Sequence, residues 1–447
     1  MTTPSLILRF RVLASALLLA AAAAGVYAAN AEIKLGPSCV TGECHGDVVK
    51  AEFLHGPANM SQCEPCHVPV NGRHEFTAIA TGRDLCLTCH EVEEEKAVVH
   101  GPFQTDCVVC HNPHGDSNRH FVKGGAGAGS CLLCHDNVTQ DMTHLHGPVA
   151  VGECVVCHEP HQSDHKGLLI EPRATLCTGC HIDVAQEIEG ALVVHEPVET
   201  ECAGCHNPHG GTSQFFLPTE GADLCRSCHE DFLVKANEAK FPHGAMTEGK
   251  ACRNCHAPHA SSQQGLLSTD TSGLCLSCHD KEIHRENDTI DNVAAQLAEA
   301  TSLHGPIREK NCVACHQAHG SDVASILNKP FPREFYAPYE EGAYDLCFEC
   351  HDSTLVEQEK TVATQFRDGD RNLHFLHVNR EKGRTCRACH AEHASVQPHH
   401  VRTEVPFGRW SMKVEFTKTD TGGTCATGCH VPYAYDRVKP VAGAPAQ

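Results

Sequence analysis

Aromatic side chains are scarce in this chain of 447 residues: they make up 5% of it, with a single tryptophan, Trp410. Methionine is scarcer still, since beyond Met1 there are only Met60, Met142, Met246 and Met412. After residue 28 no apolar run approaches the ~20 residues that a membrane-spanning helix needs. Alternating strand patterns are not evident. Positive charge is also in deficit. There are 35 Lys and Arg against 56 Asp and Glu, a balance of −21 that becomes −23 once residues 1–28, with two arginines and no acids, are set aside. Such a chain is a poor fit to nucleic acid or to an anionic membrane surface. It suits cationic partners, divalent counter-ions or plain solubility, and an ordinary solvated acidic surface explains the balance as well.

What the chain has in excess is cysteine and histidine, 30 and 36 of them. They recur together in a unit well seen at 100–135: His100-Gly101-Pro102, then Cys107-Val108-Val109-Cys110-His111-Asn112-Pro113-His114-Gly115, a glycine-rich loop, and Cys131-Leu132-Leu133-Cys134-His135. CxxCH is the attachment signature of c-type haem. Its thiols form thioether bonds to the porphyrin edge and its histidine becomes the proximal iron ligand.

Thirteen segments fit the pattern. They are Cys63/Cys66/His67, Cys86/Cys89/His90, Cys107/Cys110/His111, Cys131/Cys134/His135 and Cys154/Cys157/His158. Next come Cys177/Cys180/His181, Cys202/Cys205/His206, Cys225/Cys228/His229 and Cys252/Cys255/His256. The last four are Cys275/Cys278/His279, Cys312/Cys315/His316, Cys347/Cys350/His351 and Cys386/Cys389/His390. Two more have longer spacers, Cys39/Cys44/His45 and Cys425/Cys429/His430. Together the fifteen consume every cysteine, leaving none for a disulfide, a nucleophile or a stray metal site. CxxC pairs also build zinc ribbons and redox-active disulfides. Neither requires a histidine directly after the second cysteine, whereas here it follows in all fifteen.

Residues 1–28 read as a secretory signal peptide: Arg9 and Arg11 form the positive region, Val12 to Ala24 the apolar stretch, and Val26-Tyr27-Ala28 the small-residue cleavage site. An uncleaved membrane anchor is the lesser alternative, because the apolar run is too short. The first cysteine, Cys39, is too distant for a lipoprotein site. Export suits covalent haem attachment, which takes place outside the bacterial cytoplasm.

After the opening motif the others fall into seven tandem pairs, each begun by a histidine: His55, His100, His146, His195, His243, His304 and His377. Fifteen histidines are proximal, which leaves 21 for fifteen distal positions. The pair-opening histidines supply seven. A second set lies three residues beyond a proximal histidine: His114, His161, His209, His259, His319 and His393. Tethered on the proximal side of its own haem, such a residue cannot easily reach the opposite face, so it is expected to ligate a neighbouring haem. Val70 holds that place in the first pair, and His74 is the substitute. The fifteenth ligand falls to His399 or His400, with His400 taken as the ligand. His120, His144, His165, His284, His374 and the unused member of 399/400 are surplus. Methionine is too rare to be the general distal ligand, so bis-histidine, low-potential haems are expected. Iron closed on both faces leaves no vacant position for a substrate, which favours relay over catalysis.

Roughly 419 residues follow the signal peptide, about 28 for each of fifteen haems, too few for a conventional core. The expected fold is therefore haem-packed: mostly loops with short α-helices, little or no β-structure, in tandem two-haem repeats that run on in an elongated array. Short helices are expected at 182–194, 230–240 and 290–300, closed by the glycine or proline beside the following histidine. The expected divisions are a signal peptide at 1–28, a single-haem segment at 29–54, closely spaced repeats at 55–280 and longer-spaced repeats at 281–447.

The repeat resembles the doubled-CXXCH family of multihaem c-type cytochromes over nearly all of Cys39 to His430. The resemblance is carried by His100-Gly101-Pro102, Cys110-His111-Asn112-Pro113-His114-Gly115 and Leu274-Cys275-Leu276-Ser277-Cys278-His279-Asp280. Gly422-Gly423-Thr424-Cys425 through Cys429-His430, with Tyr435-Asp436-Arg437, looks like a closing segment of such proteins. It implies electron transfer across the periplasm, through an outer-membrane conduit or onto extracellular acceptors such as ferric minerals. Other redox proteins would be donor and acceptor, with an outer-membrane porin or further cytochromes as neighbours. The alternative is a multihaem reductase of nitrite, tetrathionate or a similar small oxidant, and no motif ends in the lysine such an open haem would use.

Overall fold

A computed structural model of the chain describes residues 39–40, 45–70, 75–92, 94–285 and 289–441. The signal peptide, Cys44 and His74 lie outside the described residues. The chain divides into two compact units, Met1–Leu176 with Pro208–Phe216, and Cys177–Asn207 with Leu217–Gln447.

The first six repeats are built by the same local rules, whereas the seventh places its opening His377 inside the helix Leu373–Val378. A two-residue strand leads into the opening histidine, which is itself extended, and a one-turn helix follows. The strand Phe53–Leu54, His55 and the helix Gly56–Asn59 show it, as do Val98–Val99, His100 and Gly101–Thr105. Proline falls at the first or second position of these helices. There its fixed φ is already helical and its missing N–H costs nothing. The Gly-Pro beside the histidine thus opens a helix, and does not close the preceding one as expected from sequence. The preceding helices, Ile182–Glu189 and Val293–Glu299, instead end before the short strands Val193–Val194 and Ser302–Leu303.

The first motif of a repeat forms a 3₁₀ turn, as at Cys107–Val109, Cys154–Val156 and Cys312–Ala314. The second sits at the end of a short α-helix, as at Arg83–Leu87 and Thr271–Leu276, or within the longer Ala222–Glu238 helix. In either case the histidine N–H donates to the carbonyl of the first cysteine, 2.9 Å at His111 and 3.0 Å at His135. That bond closes one turn and sets the two thiols and the imidazole around it.

Repeats are stitched by antiparallel strand pairs. The strand before an opening histidine pairs with the residues after the first motif of the next repeat: Leu54 opposite Gly115, Val99 opposite Gln162, Leu145 opposite Gly210, Val194 opposite Ala260, Pro242 opposite Gly320, and Leu303 opposite Ala394. At Gly115 the backbone is left-handed (φ 141°), and a Cβ there would lie 2.3 Å from the Phe53 carbonyl oxygen, so only glycine fits this approach.

The expectation of little or no β-structure fails at the C-terminal end. Glu404–Phe407, Trp410–Lys418, Gly422–Thr427 and His430–Asp436 form a four-stranded antiparallel meander in sequential order. Along Trp410–Lys418 the residues Met412, Val414 and Phe416 turn inward while their neighbours are exposed, the period of a half-buried strand. Val401, Val405 and Val414 form a small core there, with Phe335, Phe416 and Cys425 packed against it. The final motif consequently spans a strand turn, with Cys425 on one strand and His430 opening the next, and is not the single helical turn expected of it.

Candidate haem-iron sites

Imidazole rings meet in pairs. Among the described residues, thirteen CxxCH-type histidines each face one further histidine with ring centres 5.8 to 6.5 Å apart. A first-row metal bonded to imidazole nitrogen on both sides at about 2.1 Å would separate ring centres by about 6.3 Å. Direct ring stacking would bring them closer. The spacing fits an iron between each pair.

Two rules generate twelve of the pairs. The opening histidine faces the second-motif histidine of its own repeat: His55–His90, His100–His135, His195–His229, His243–His279, His304–His351 and His377–His430. The first-motif histidine faces the +3 histidine of the following repeat: His67–His114, His111–His161, His158–His209, His206–His259, His256–His319 and His316–His393. His146 keeps the local geometry of an opening histidine, His181 precedes the Ile182–Glu189 helix, and His45 precedes the Gly46–Val49 turn.

The nitrogen left to face the iron is chosen by the backbone. Opening histidines donate from Nδ1 to the carbonyl just before the next repeat's +3 histidine: His55 to Pro113 (2.9 Å), His100 to Pro160 (2.8 Å), His195 to Pro258 (3.0 Å) and His243 to Ala318 (2.8 Å). First-motif histidines donate from Nδ1 to the carbonyl nine residues on: His111 to His120 (2.7 Å), His158 to Gly167 (2.8 Å), His256 to Gly265 (2.8 Å), His316 to Ser325 (3.0 Å) and His390 to His399 (2.9 Å). Such a bond fixes the tautomer, leaves the Nε2 lone pair for the metal and raises ligand basicity. The +3 histidines lean on side chains instead, His161 on Glu159 (3.4 Å) and His259 on Glu187 (3.9 Å). Burial pushes the His114, His161, His209, His259 and His319 imidazoles below their ordinary value, toward the neutral form a metal requires.

His400, expected to be a distal ligand, is placed otherwise. It stands ten residues after His390, the place held by Phe121, Leu168, Phe216, Leu266 and Ile326 in other repeats. All six have left-handed φ, between 50° and 57°. His400 packs edge-on against His304 at 5.5 Å and 65°, as Phe121 does against His55 at 5.7 Å and 62°. Its ring is loop packing. The histidine across from His390 is His374, counted as surplus from the sequence, at 6.4 Å and 27°. Of the others, His284 lies beside Glu282 (3.8 Å) and the His120 carbonyl serves His111.

Cysteines of several successive motifs lie beside one another. Burial and the adjacent Cys107 thiol push Cys86 up to about 11, and Cys225 rises to about 11 from burial and Cys252. Cys275 is raised by a hydrogen bond with Cys312 and by burial, and Cys347 likewise by Cys386. These contacts join the second motif of one repeat to the first of the next. Within repeats, Cys110 feels Cys134, Cys255 feels Cys278, and Cys315 feels Cys347.

The cysteine next to the histidine is placed differently in the two kinds of motif. In first motifs Cys66, Cys157 and Cys205 are half-buried, as are Cys255, Cys315 and Cys389, while Cys110 is exposed. Their backbone is anchored by the loop that follows: the Cys66 carbonyl accepts the Ile79 N–H (3.0 Å) and that of Cys157 the Ile170 N–H (3.0 Å), each thirteen residues on. At Cys205 the corresponding residue is Pro218, which has no N–H to give. In second motifs Cys89, Cys180, Cys228 and Cys350 stand exposed at the end of the helical turn, with Cys134 and Cys278. Only neighbouring hydroxyls steady these sulfurs, Thr88 at Cys89 (3.8 Å) and Ser227 at Cys228 (3.9 Å). None of the seven, Cys66, Cys89, Cys157, Cys180, Cys205, Cys228 or Cys350, is sealed inside the polypeptide. Each thiol can therefore meet a porphyrin edge laid against its turn.

The doubled CXXCH motif matches residues 55–95, 100–140, 146–186, 195–233, 243–284 and 304–355, over half of the chain. No curated protein matches it. The matched repeats carry covalently bound haem c at about twelve motifs, and the ring pairs fall where their irons would lie. With the motif repeated six times and the histidines arranged to suit it, the chain belongs to the doubled-CXXCH family of multihaem c-type cytochromes.

Proposed function

We propose that the protein is an electron relay carrying fifteen haems c, each iron closed on both faces by imidazole. The observation that carries this reading is the set of ring pairs at iron-spanning distance, each with one proximal and one tautomer-fixed or neutral partner. The chemistry supplied by bound haem is reversible one-electron exchange. The chain's own residues do the rest. Paired cysteines tether each group, backbone carbonyls hold the imidazoles in register, and axial histidines occupy both faces so that no coordination position is left for a substrate. Touching thiols at successive motifs keep neighbouring attachment points together, Cys86 with Cys107 and Cys275 with Cys312. The signal peptide read at 1–28 supports a site of action outside the cytoplasm, in the periplasm, at the outer membrane or at the cell surface. Redox proteins serve as donor and acceptor, and no described helix is long and apolar enough to cross a membrane.

Haem quantitation with electron paramagnetic resonance of the purified holoprotein tests this. Fifteen haems per chain, all low-spin in the resting state, are expected. A colourless product overturns it, and a high-spin haem in the wild-type protein would move the reading to a reductase.

A further inference from the structure

The pairing rules leave one first-motif histidine without a partner of the usual kind. His390 belongs to the seventh repeat, and the histidine that faces it holds no +3 position. We infer that the missing ligand is His374, and that Thr364 is the positioning residue that holds it. One short helix, Leu373–Val378, then serves two irons: His374 faces His390 (6.4 Å, 27°) and His377 faces His430 (6.5 Å, 43°). The inference rests on the relay reading above.

The surroundings of His374 are built for this task. Its Nδ1 lies 3.1 Å from Thr364 Oγ1, and Thr364 is buried. A hydroxyl has two acceptor lone pairs. One takes the Phe366 N–H (3.2 Å) and the other can take Nδ1–H of His374, which leaves Nε2 for the iron, the arrangement backbone carbonyls impose elsewhere. Phe366 meets His374 edge-on (5.1 Å, 72°) and lies flat beside His377 (5.8 Å, 29°), separating the two rings. The start of the helix is fixed by Asn372, which is fully buried. Its Oδ1 accepts from the His374 and Phe375 N–H groups (3.0 and 3.3 Å), and its Nδ2 donates to the Leu355 and Gln358 carbonyls (2.8 and 2.7 Å). The rival candidates are placed elsewhere: the His399 ring stands edge-on to Phe416 (6.2 Å, 63°), and His400 packs on His304.

Carbon monoxide titration of the dithionite-reduced holoprotein counts open irons without depending on electron-transfer activity. The wild-type protein is expected to bind none and His374→Ala one per chain, at unchanged haem content. His400→Ala is expected to bind none. Carbon monoxide binding by His400→Ala, or none by a folded His374→Ala, overturns the assignment. Should His374→Ala fail to accumulate, His374→Met decides: a methionine–iron charge-transfer band in one ferric haem supports the inference, and an unaltered spectrum defeats it. Thr364→Val keeps the ligand and removes the hydroxyl, so it should shift one low-spin resonance signal without opening an iron, and an unshifted spectrum removes Thr364 from the role. Failure of the relay reading looks different, because the wild-type protein would then lack haem or bind carbon monoxide itself.

Discussion

A histidine three residues past a haem-binding histidine is tied to the wrong face of its own site, and in this protein that constraint becomes a link. His114 faces His67 of the preceding repeat, not His111 beside it. Replacing His114 by alanine should therefore leave the haem content unchanged and open one iron to carbon monoxide. In a Cys63→Ser/Cys66→Ser background the same replacement should open none, since the site it closes is no longer there. Binding in that background would mean that His114 serves some other motif. That such a histidine serves a neighbour was readable from the sequence, because its tether keeps it from its own site; which neighbour was not. Nor was the identity of the last ligand. His400 sits in a column filled elsewhere by Phe121, Leu168, Phe216, Leu266 and Ile326, and aligning the repeats on their first-motif histidine would have shown it to be a packing position. His374 carried no comparable signal: the buried Thr364 beside it comes from ten residues away, and its partner His390 from sixteen. His400→Phe should leave every iron closed and change unfolding free energy by no more than about 1 kcal/mol, read from a guanidinium titration.

Short elements such as these cannot stand alone. Two-residue strand pairs and one-turn helices lie far below the length at which either is stable by itself, so each borrows its order from the sites it frames. Motif spacing disclosed that economy of structure, but not the meander at 404–436. The inward alternation of Met412, Val414 and Phe416 was available, and it was masked by a motif expected to be a helical turn in the same segment. Asn372 is the element-level residue with most to lose. Asn372→Ala removes a cap worth about 1 kcal/mol and its bonds to the Leu355 and Gln358 carbonyls, each worth about 1 kcal/mol. Its unfolding midpoint should fall well below that of the wild type, and an unchanged midpoint would contradict the bonds described. At the meander's end, the Thr421 hydroxyl and then the Lys439 and Val438 N–H groups hold the Asp436 carboxyl at about 2, against 3.8 ordinarily. A depressed carboxyl stabilises the folded state above its unfolded value and loses that contribution as pH falls through its folded value. The gap in guanidinium midpoint between wild type and Asp436→Asn should be constant above about pH 5 and close toward pH 2. A gap that widens with acid would show that the carboxylate is not held as described.

For the molecule as a whole, buried apolar side chains are few among the described residues. Among the described residues the one cluster of buried apolar side chains, around Val401, Val405 and Val414, belongs to the C-terminal meander. Chain produced in a host unable to attach haem should show a far-ultraviolet spectrum with little helix or strand and should be cut by protease throughout the repeats. Native-like resistance in that material would show that the polypeptide carries its own core.

The strand pairing between repeats also has a consequence for the order of assembly. His67 waits for His114, His111 for His161, and His316 for His393. A chain emerging amino end first would therefore finish each of these first-motif coordination spheres only when the following repeat arrived, one site trailing unsealed behind the point of growth. Maturation would be vectorial, and any carboxyl-terminal truncation at a repeat boundary would expose a fresh reactive iron at the new end.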